Sequence, residues 1–284
     1  MAETQDAPIL EFDPDRSAVI EPWGGRIPQD PPRHAVLCFF RDVVETVVAE
    51  LGGREIGRLG SEMTSVPIYE LDYGGERLAV VQAGVGAALA AGWLEELIAD
   101  GMRAFVAAGG AGVLVPELAL GHVVVPTAAI RDEGTSYHYL RPSREVRPSD
   151  DAVAAIVATL EKHAIPFVTG KTWTTDGFYR ETRSKVERRV AEGCLTVEME
   201  AAAFFAVAQF RGVSFGQLLY SGDDLSGEVW DPRGWDKHAE GRDLLFRLAA
   251  EAVLAIEPGT ASADAAAARW TGDAYEPRGP QGSR

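Results

Sequence analysis

The segment Val197-Glu198-Met199-Glu200-Ala201-Ala202-Ala203-Phe204 sets two carboxylates around a methionine, directly ahead of an apolar, alanine-rich helical stretch. Burying an acid is costly unless it is paired or hydrogen-bonded. An acid pair at the head of such a helix therefore calls for donors. A vicinal diol supplies two at once, because one carboxylate accepts from both hydroxyls, and a ribose carries such a diol. The pattern points to a nucleoside-type ligand rather than to a redox centre or a metal. A helix-entrance acid favoured by the dipole accounts for one glutamate, but not for two in an apolar stretch.

Two glycine segments add possible anion chemistry. Val80 to Leu89 reads as a strand, a turn at Gly84-Val85-Gly86 and a helix. Glycine lets the backbone approach an anion, and a helix N-terminus supplies N–H donors. A dinucleotide fingerprint would want a small residue near position 89 and an acid closing the next strand. Leu89 is bulky, and the next strand closes on Ala107-Ala108-Gly109. The second segment, Gly109-Gly110-Ala111-Gly112, reads as another loop after a strand. Two such loops suit one shared anion or sugar site; tight turns without a ligand are the alternative.

The elements that must position these residues alternate. Strands are expected at 35–40, 78–83, 105–108, 122–125, 166–170, 195–197 and 213–220. Helices are expected at 42–51, 87–99, 150–163, 182–191, from Glu198 onward, and 236–256. This alternation predicts an α/β fold, a single three-layer α/β/α domain around a central mixed twisted sheet. Ligands in such sheets gather at strand carboxyl ends. The domain is expected over residues 33–257. Residues 1–32, rich in proline and acids, read as an extended or disordered arm, and 258–284 as a disordered tail.

With 284 residues, 46% of them hydrophobic, the chain can bury a large core without staples. A net charge of −16 argues against a nucleic-acid partner. Cys38 and Cys194 in apolar surroundings make neither a disulfide framework nor a zinc site and fit a cytoplasmic protein. No signal peptide or membrane-spanning run is visible, and the five histidines lack ligand spacing.

Together these pieces resemble the nucleoside phosphorylase superfamily, in particular its uridine phosphorylase and hexameric purine nucleoside phosphorylase branch. The similarity runs from about Ala35 to Ala255. It includes Arg131-Asp132-Glu133-Gly134-Thr135-Ser136, then Thr174-Thr175-Asp176-Gly177-Phe178-Tyr179, and above all the Val197–Ala203 motif. The resemblance implies a pentosyltransferase of nucleoside salvage. Such an enzyme cleaves the ribosyl–base bond with inorganic phosphate as co-substrate and no other cofactor, in homo-oligomers built from dimers (dimer or hexamer). It implies that Glu200 binds the ribose hydroxyls, that Met199 packs on the sugar, with Glu198 as the motif's first acid, and that Phe178 lies against the base. Gly84, Gly109 and Gly110 would line the site. Asp223 stands where purine-type members carry the acid that protonates the leaving base, with Asp224 as a solvated neighbour; uridine-specific members lack that acid.

The chain departs from the pattern at the phosphate end. Where the family carries glycine and aspartate before an arginine, this chain reads Leu37-Cys38-Phe39-Phe40-Arg41, so Arg41 is the expected phosphate ligand. Ser61, Ala107 and Gly110 replace the other expected cations and hydroxyl. Losing two charge-assisted bonds of roughly 1.5–3 kcal/mol each would weaken phosphate by about two to four orders of magnitude. The glutamine and arginine that read uracil are also absent after Phe178, where Arg180 or Arg183 are the candidates to substitute. Three readings follow: a phosphorylase with a rebuilt phosphate site, a hydrolytic nucleosidase, or a non-catalytic nucleoside-binding protein.

Overall fold

A computed structural model describes residues 7–27 and 30–258. The core elements are β1 (His34–Cys38), α1 (Arg41–Glu50), β2 (Arg54–Gly60), β3 (Ser65–Tyr73), β4 (Glu76–Gln82), α2 (Ala87–Asp100), β5 (Ala104–Val113) and β6 (Val123–Asp132). They continue with β7 (Glu145–Val146), α3 (Asp150–Lys162), β8 (Phe167–Thr175), α4 (Arg183–Ala191), β9 (Cys194–Glu198), α5 (Ala201–Arg211), β10 (Ser214–Asp224) and α6 (Ala239–Leu254).

Period-2 alternation in the inner strands builds three layers. Ala35 and Leu37 of β1, with Phe105 and Ala107 of β5, face α2 and α5. Val36 and Cys38, with Ala104, Val106 and Ala108, face α1, α3 and α6. Strands buried on both faces read as continuous apolar runs, which is why they stand out in the sequence. The mixed sheet and the expected α/β class are both present.

The sheet order is β2-β3-β4-β1-β5-β10-β6-β8-β9, and β9 returns to pair with the far end of β5. Residues 104–108 of β5 lie between β1 and β10, whereas Gly112 and Val113 pair with Val197 and Thr196 of β9. The five strands β5, β10, β6, β8 and β9 thus close on one another, and β9 delivers Glu198 at that closure. One expectation is corrected here: Gly109–Gly112 is not a loop but the continuation of β5.

Those glycines make room for side chains. A Cβ at Gly109 would come within 2.7 Å of the Phe39 ring, one at Gly110 within 3.0 Å of Tyr220, and one at Gly112 within 2.7 Å of Leu225. β6, β8 and β10 likewise run past their expected ends, and β2, β3 and β7 are additional. The arm packs on α2 and α5: the backbone N–H of Gly25 donates to Asp100 (2.7 Å), Arg26 pairs with Glu96 (2.9 Å), and Arg16 lies over the Phe210 ring. Among the described residues no helix is long and apolar enough to cross a membrane. The expected tail from 259 onward lies outside the described residues.

Candidate functional site

Glu198 is the last residue of β9, and α5 begins at Ala201. The Glu198 Oε2 accepts the backbone N–H groups of Glu200 (2.7 Å) and Ala201 (2.6 Å). Its Oε1 accepts the Thr174 hydroxyl at 2.6 Å, and Thr174 Oγ1 in turn accepts the N–H of Ala202 at 2.9 Å. Helix starts leave N–H groups unpaired, and here Glu198 and Thr174 take three of them. Glu198 is therefore largely committed to the protein.

Glu200 keeps more capacity. Its Oε1 accepts the N–H of Gly86 at 2.5 Å, while among the described residues Oε2 holds only a long contact to the N–H of Met199 at 3.3 Å. Gly86 has φ of +91°, a conformation that favours glycine, so the 84–86 turn is pinned to Glu200 through Gly86. Gly84 itself packs on α2, with Leu89 and Trp93 against its missing Cβ. Burial pushes both carboxyls above the ordinary range, and the Glu198 charge pushes Glu200 further. The hydrogen bonds to Glu198 act the other way and favour its charged form.

Thr174→Val keeps the shape but strips partners from the Ala202 N–H and from Glu198. Each buried group left unsatisfied costs about 1–3 kcal/mol. A lower unfolding midpoint in denaturant is expected; an unchanged midpoint would contradict the capping role.

Glu198, Met199 and Glu200 open onto a cavity of about 740 Å³. One end is acidic: Phe178, Tyr179, Glu181, Asp223 and Trp230 line it. Asp223 Oδ2 accepts the Trp230 indole N–H at 2.7 Å. Its neighbour Asp224 is bound away to Arg233 and to the N–H of Ser226. Burial works to raise the Asp224 carboxyl, but these partners hold it below the usual range. Asp224 is thus not the solvated neighbour the sequence suggested.

Glu181 carries no signal in the sequence, where it is one charge between Arg180 and Arg183. Its carboxyl makes no hydrogen bond or ion pair among the described residues. Burial, with the Asp223 charge beside it, pushes it up to about 7. Arg183 donates to the carbonyls of Leu225 and Gly227, and neither it nor Arg180 lines the cavity.

The other end, at β1, is lined by Phe39, Phe40 and Arg242. Arg41 does not reach the cavity: its side chain is 75% exposed, with Nε donating to Glu45 at 2.8 Å. Gly110 lines the cavity, but Gly109 lies beneath Phe39 and does not. Ala107 is in the core, and Ser61 is exposed at the β2–β3 turn. The guanidinium that does line the cavity belongs to Arg242. It lies over the Phe40 ring at 4.6 Å and donates to Asp42 (2.8 Å) and to the Asp236 carbonyl (3.0 Å), and its buried Nε has no partner among the described residues. Trp235 completes the rim, its carbonyl accepting the Tyr220 hydroxyl at 2.6 Å.

The Arg131–Ser136 motif is structural. Arg131 donates to Ser136, Ser143 and the carbonyls of Arg141 and Leu140, and Glu133 accepts the N–H groups of Thr135 and Ser136. Asp132 accepts from Trp173, Lys185 and Arg189. His138 lines a separate cavity beneath the arm.

The model of the phosphorylase superfamily matches residues 33–255, the whole three-layer domain. The chain belongs to that superfamily. A guanosine phosphorylase from Halorubrum lacusprofundi is 32% identical over 194 residues, 66% of this chain and 80% of the relative. A uridine phosphorylase from Treponema pallidum is 31% identical over 50% of this chain and 59% of its own length. An AMP nucleosidase from Bacteroides thetaiotaomicron superposes with a TM-score of 0.64 at 25% identity, covering 79% of this chain and 88% of that one. A purine nucleoside phosphorylase from Toxoplasma gondii shares the fold, with a TM-score of 0.70 at 19% identity over 84% and 97% of the two chains. The nucleoside phosphorylase resemblance and its fold are thus both established.

Proposed function

We propose that this superfamily member cleaves the N-glycosidic bond of a nucleoside and transfers the ribosyl group to inorganic phosphate. The observation that carries the reading is the Glu200 carboxylate, buried at the cavity wall with one oxygen almost free of protein donors. The ribose hydroxyls donate to that oxygen, and Met199 packs on the sugar. Phe178, half exposed into the cavity, lies against the base. Cleavage builds positive charge on the sugar and negative charge on the leaving base. The buried carboxylates favour the first, and Asp223, as proton donor, relieves the second. Arg242 is the guanidinium offered to phosphate in place of Arg41.

The base remains within this proposal. The sequence resemblance implies uridine, and the Halorubrum relative is named for guanosine. Homo-oligomeric assembly rests on the resemblance, and a cytoplasmic site of action on the two buried thiols, Cys38 and Cys194.

Hydrolysis is the second reading, and a specific observation favours it. Arg41 turns to Glu45, Ala107 is core, and among the described residues one guanidinium alone lines the cavity. The sugar product separates the two: ribose 1-phosphate follows from phosphorolysis, free ribose from hydrolysis.

A further inference from the structure

The first turn of α1 sends its two charges to different partners. Arg41 pairs with Glu45 at the surface, and Asp42 reaches across to Arg242 on α6. Three contacts fix the Arg242 guanidinium. One Nη donates to Asp42 Oδ1 at 2.8 Å, the other donates to the Asp236 carbonyl at 3.0 Å, and the Phe40 ring faces the group at 4.6 Å. Phe40 is itself backed by the Tyr220 ring, 5.6 Å away between centroids. A guanidinium carries five N–H donors, so these two bonds leave donors to spare. The Arg242 side chain is 13% exposed and lines the cavity, whereas that of Asp42 is 56% exposed and does not. Asp42 therefore holds the cation from outside the cavity lining. A carboxylate in that place does two opposed things. It keeps a long, rotamer-rich side chain in one orientation, and it offsets the positive charge that an anion in the cavity meets. That offset matters here, because the other charged groups lining the cavity, Glu181, Glu198, Glu200 and Asp223, are carboxyls.

We propose that Asp42 is the positioning residue of this guanidinium: it holds Arg242 at the β1 end of the cavity and, through its own charge, sets how tightly inorganic phosphate binds there. This rests on the reading of Arg242 as the phosphate ligand. The two roles separate by substitution. Asp42→Asn keeps an oxygen that accepts the Arg242 N–H but removes the opposing charge. Asp42→Ala removes both. Asp42 also stands in the first turn of α1, where an acid is favoured. A merely structural role there would lower the stability of both variants but would not tighten phosphate.

The test measures KM for phosphate at saturating nucleoside and KM for the nucleoside at saturating phosphate, in the native chain and both Asp42 variants. Asp42→Asn is expected to lower KM for phosphate by about 2–5-fold, the effect of one partly exposed charge pair, with KM for the nucleoside unchanged. In Asp42→Ala the phosphate KM is expected to lie about 2–10-fold above that of Asp42→Asn, the effect of one lost hydrogen bond. An unchanged or raised phosphate KM in Asp42→Asn, equal values in the two variants, or a nucleoside KM that moves in step would each overturn the proposal. Calorimetric titration with inorganic phosphate supplies a readout without turnover. If base release from the native chain ignores phosphate, the proposed reaction fails. Phosphate binding that tightens in Asp42→Asn and slackens again in Asp42→Ala then still supports Asp42 as the positioning residue, and equal binding, or none, overturns it.

Discussion

Glu200→Gln is expected to lower kcat/KM for the preferred nucleoside by about 10²–10³-fold, with KM rising and kcat falling together. The amide carbonyl can still accept the Gly86 N–H, so the 84–86 turn stays in place. In the proposed role, what is lost is the charge that accepts both ribose hydroxyls and offsets positive charge on the sugar in the transition state. A loss in both parameters separates this from simple binding. Unchanged kinetics would remove Glu200 from the site.

The same variant carries a stability signature of opposite sign. The Glu200 carboxyl is raised in the folded state by burial and by Glu198. The folded chain therefore holds its proton to higher pH than the unfolded chain does. Stability from this group falls as pH rises from the ordinary carboxylate range towards the raised value, and the cost is then complete. Glu200→Gln removes that cost, so its melting temperature is expected to exceed the native one on the alkaline side and to converge at acid pH.

Asp223→Asn is the second large effect. Asparagine keeps an oxygen for the Trp230 indole N–H but cannot hand a proton to the leaving base. Loss of general acid catalysis is worth about 10²–10⁴-fold in rate, and it is expected in kcat with little change in KM. A nucleoside whose base departs neutral, such as 7-methylguanosine, should lose far less. Equal losses on both substrates would assign Asp223 a merely structural role, and failure of purines as substrates at all would end the proposed acid role.

The Glu198–Glu200 motif could be read from sequence because two acids in an apolar run have no cheap explanation. Its internal division could not. Which glutamate caps α5 and which faces the ligand depends on Thr174, 24 residues away on another strand. Inner strands such as β1 announced themselves by apolar runs, but the extensions of β5, β6, β8 and β10 did not. Those ends are rich in glycine, threonine and charge, and only long-range closure makes them strands. Gly109–Gly112 has the composition of a loop; that it yields to Phe39, Tyr220 and Leu225 is visible only once β1 and β10 lie alongside. Arg242 was hidden for the same reason, since its partner Asp42 lies 200 residues away.

One wall of the cavity thus holds a buried, incompletely satisfied carboxylate, Glu200, and among the described residues the guanidinium that lines the cavity is that of Arg242 rather than of Arg41. The rate of base release from guanosine and uridine, with inorganic phosphate and after its exhaustive removal, tests this account most directly. Saturable dependence on phosphate, with ribose 1-phosphate as the sugar product, is the predicted result. Equal rates without phosphate, with free ribose released, would contradict it.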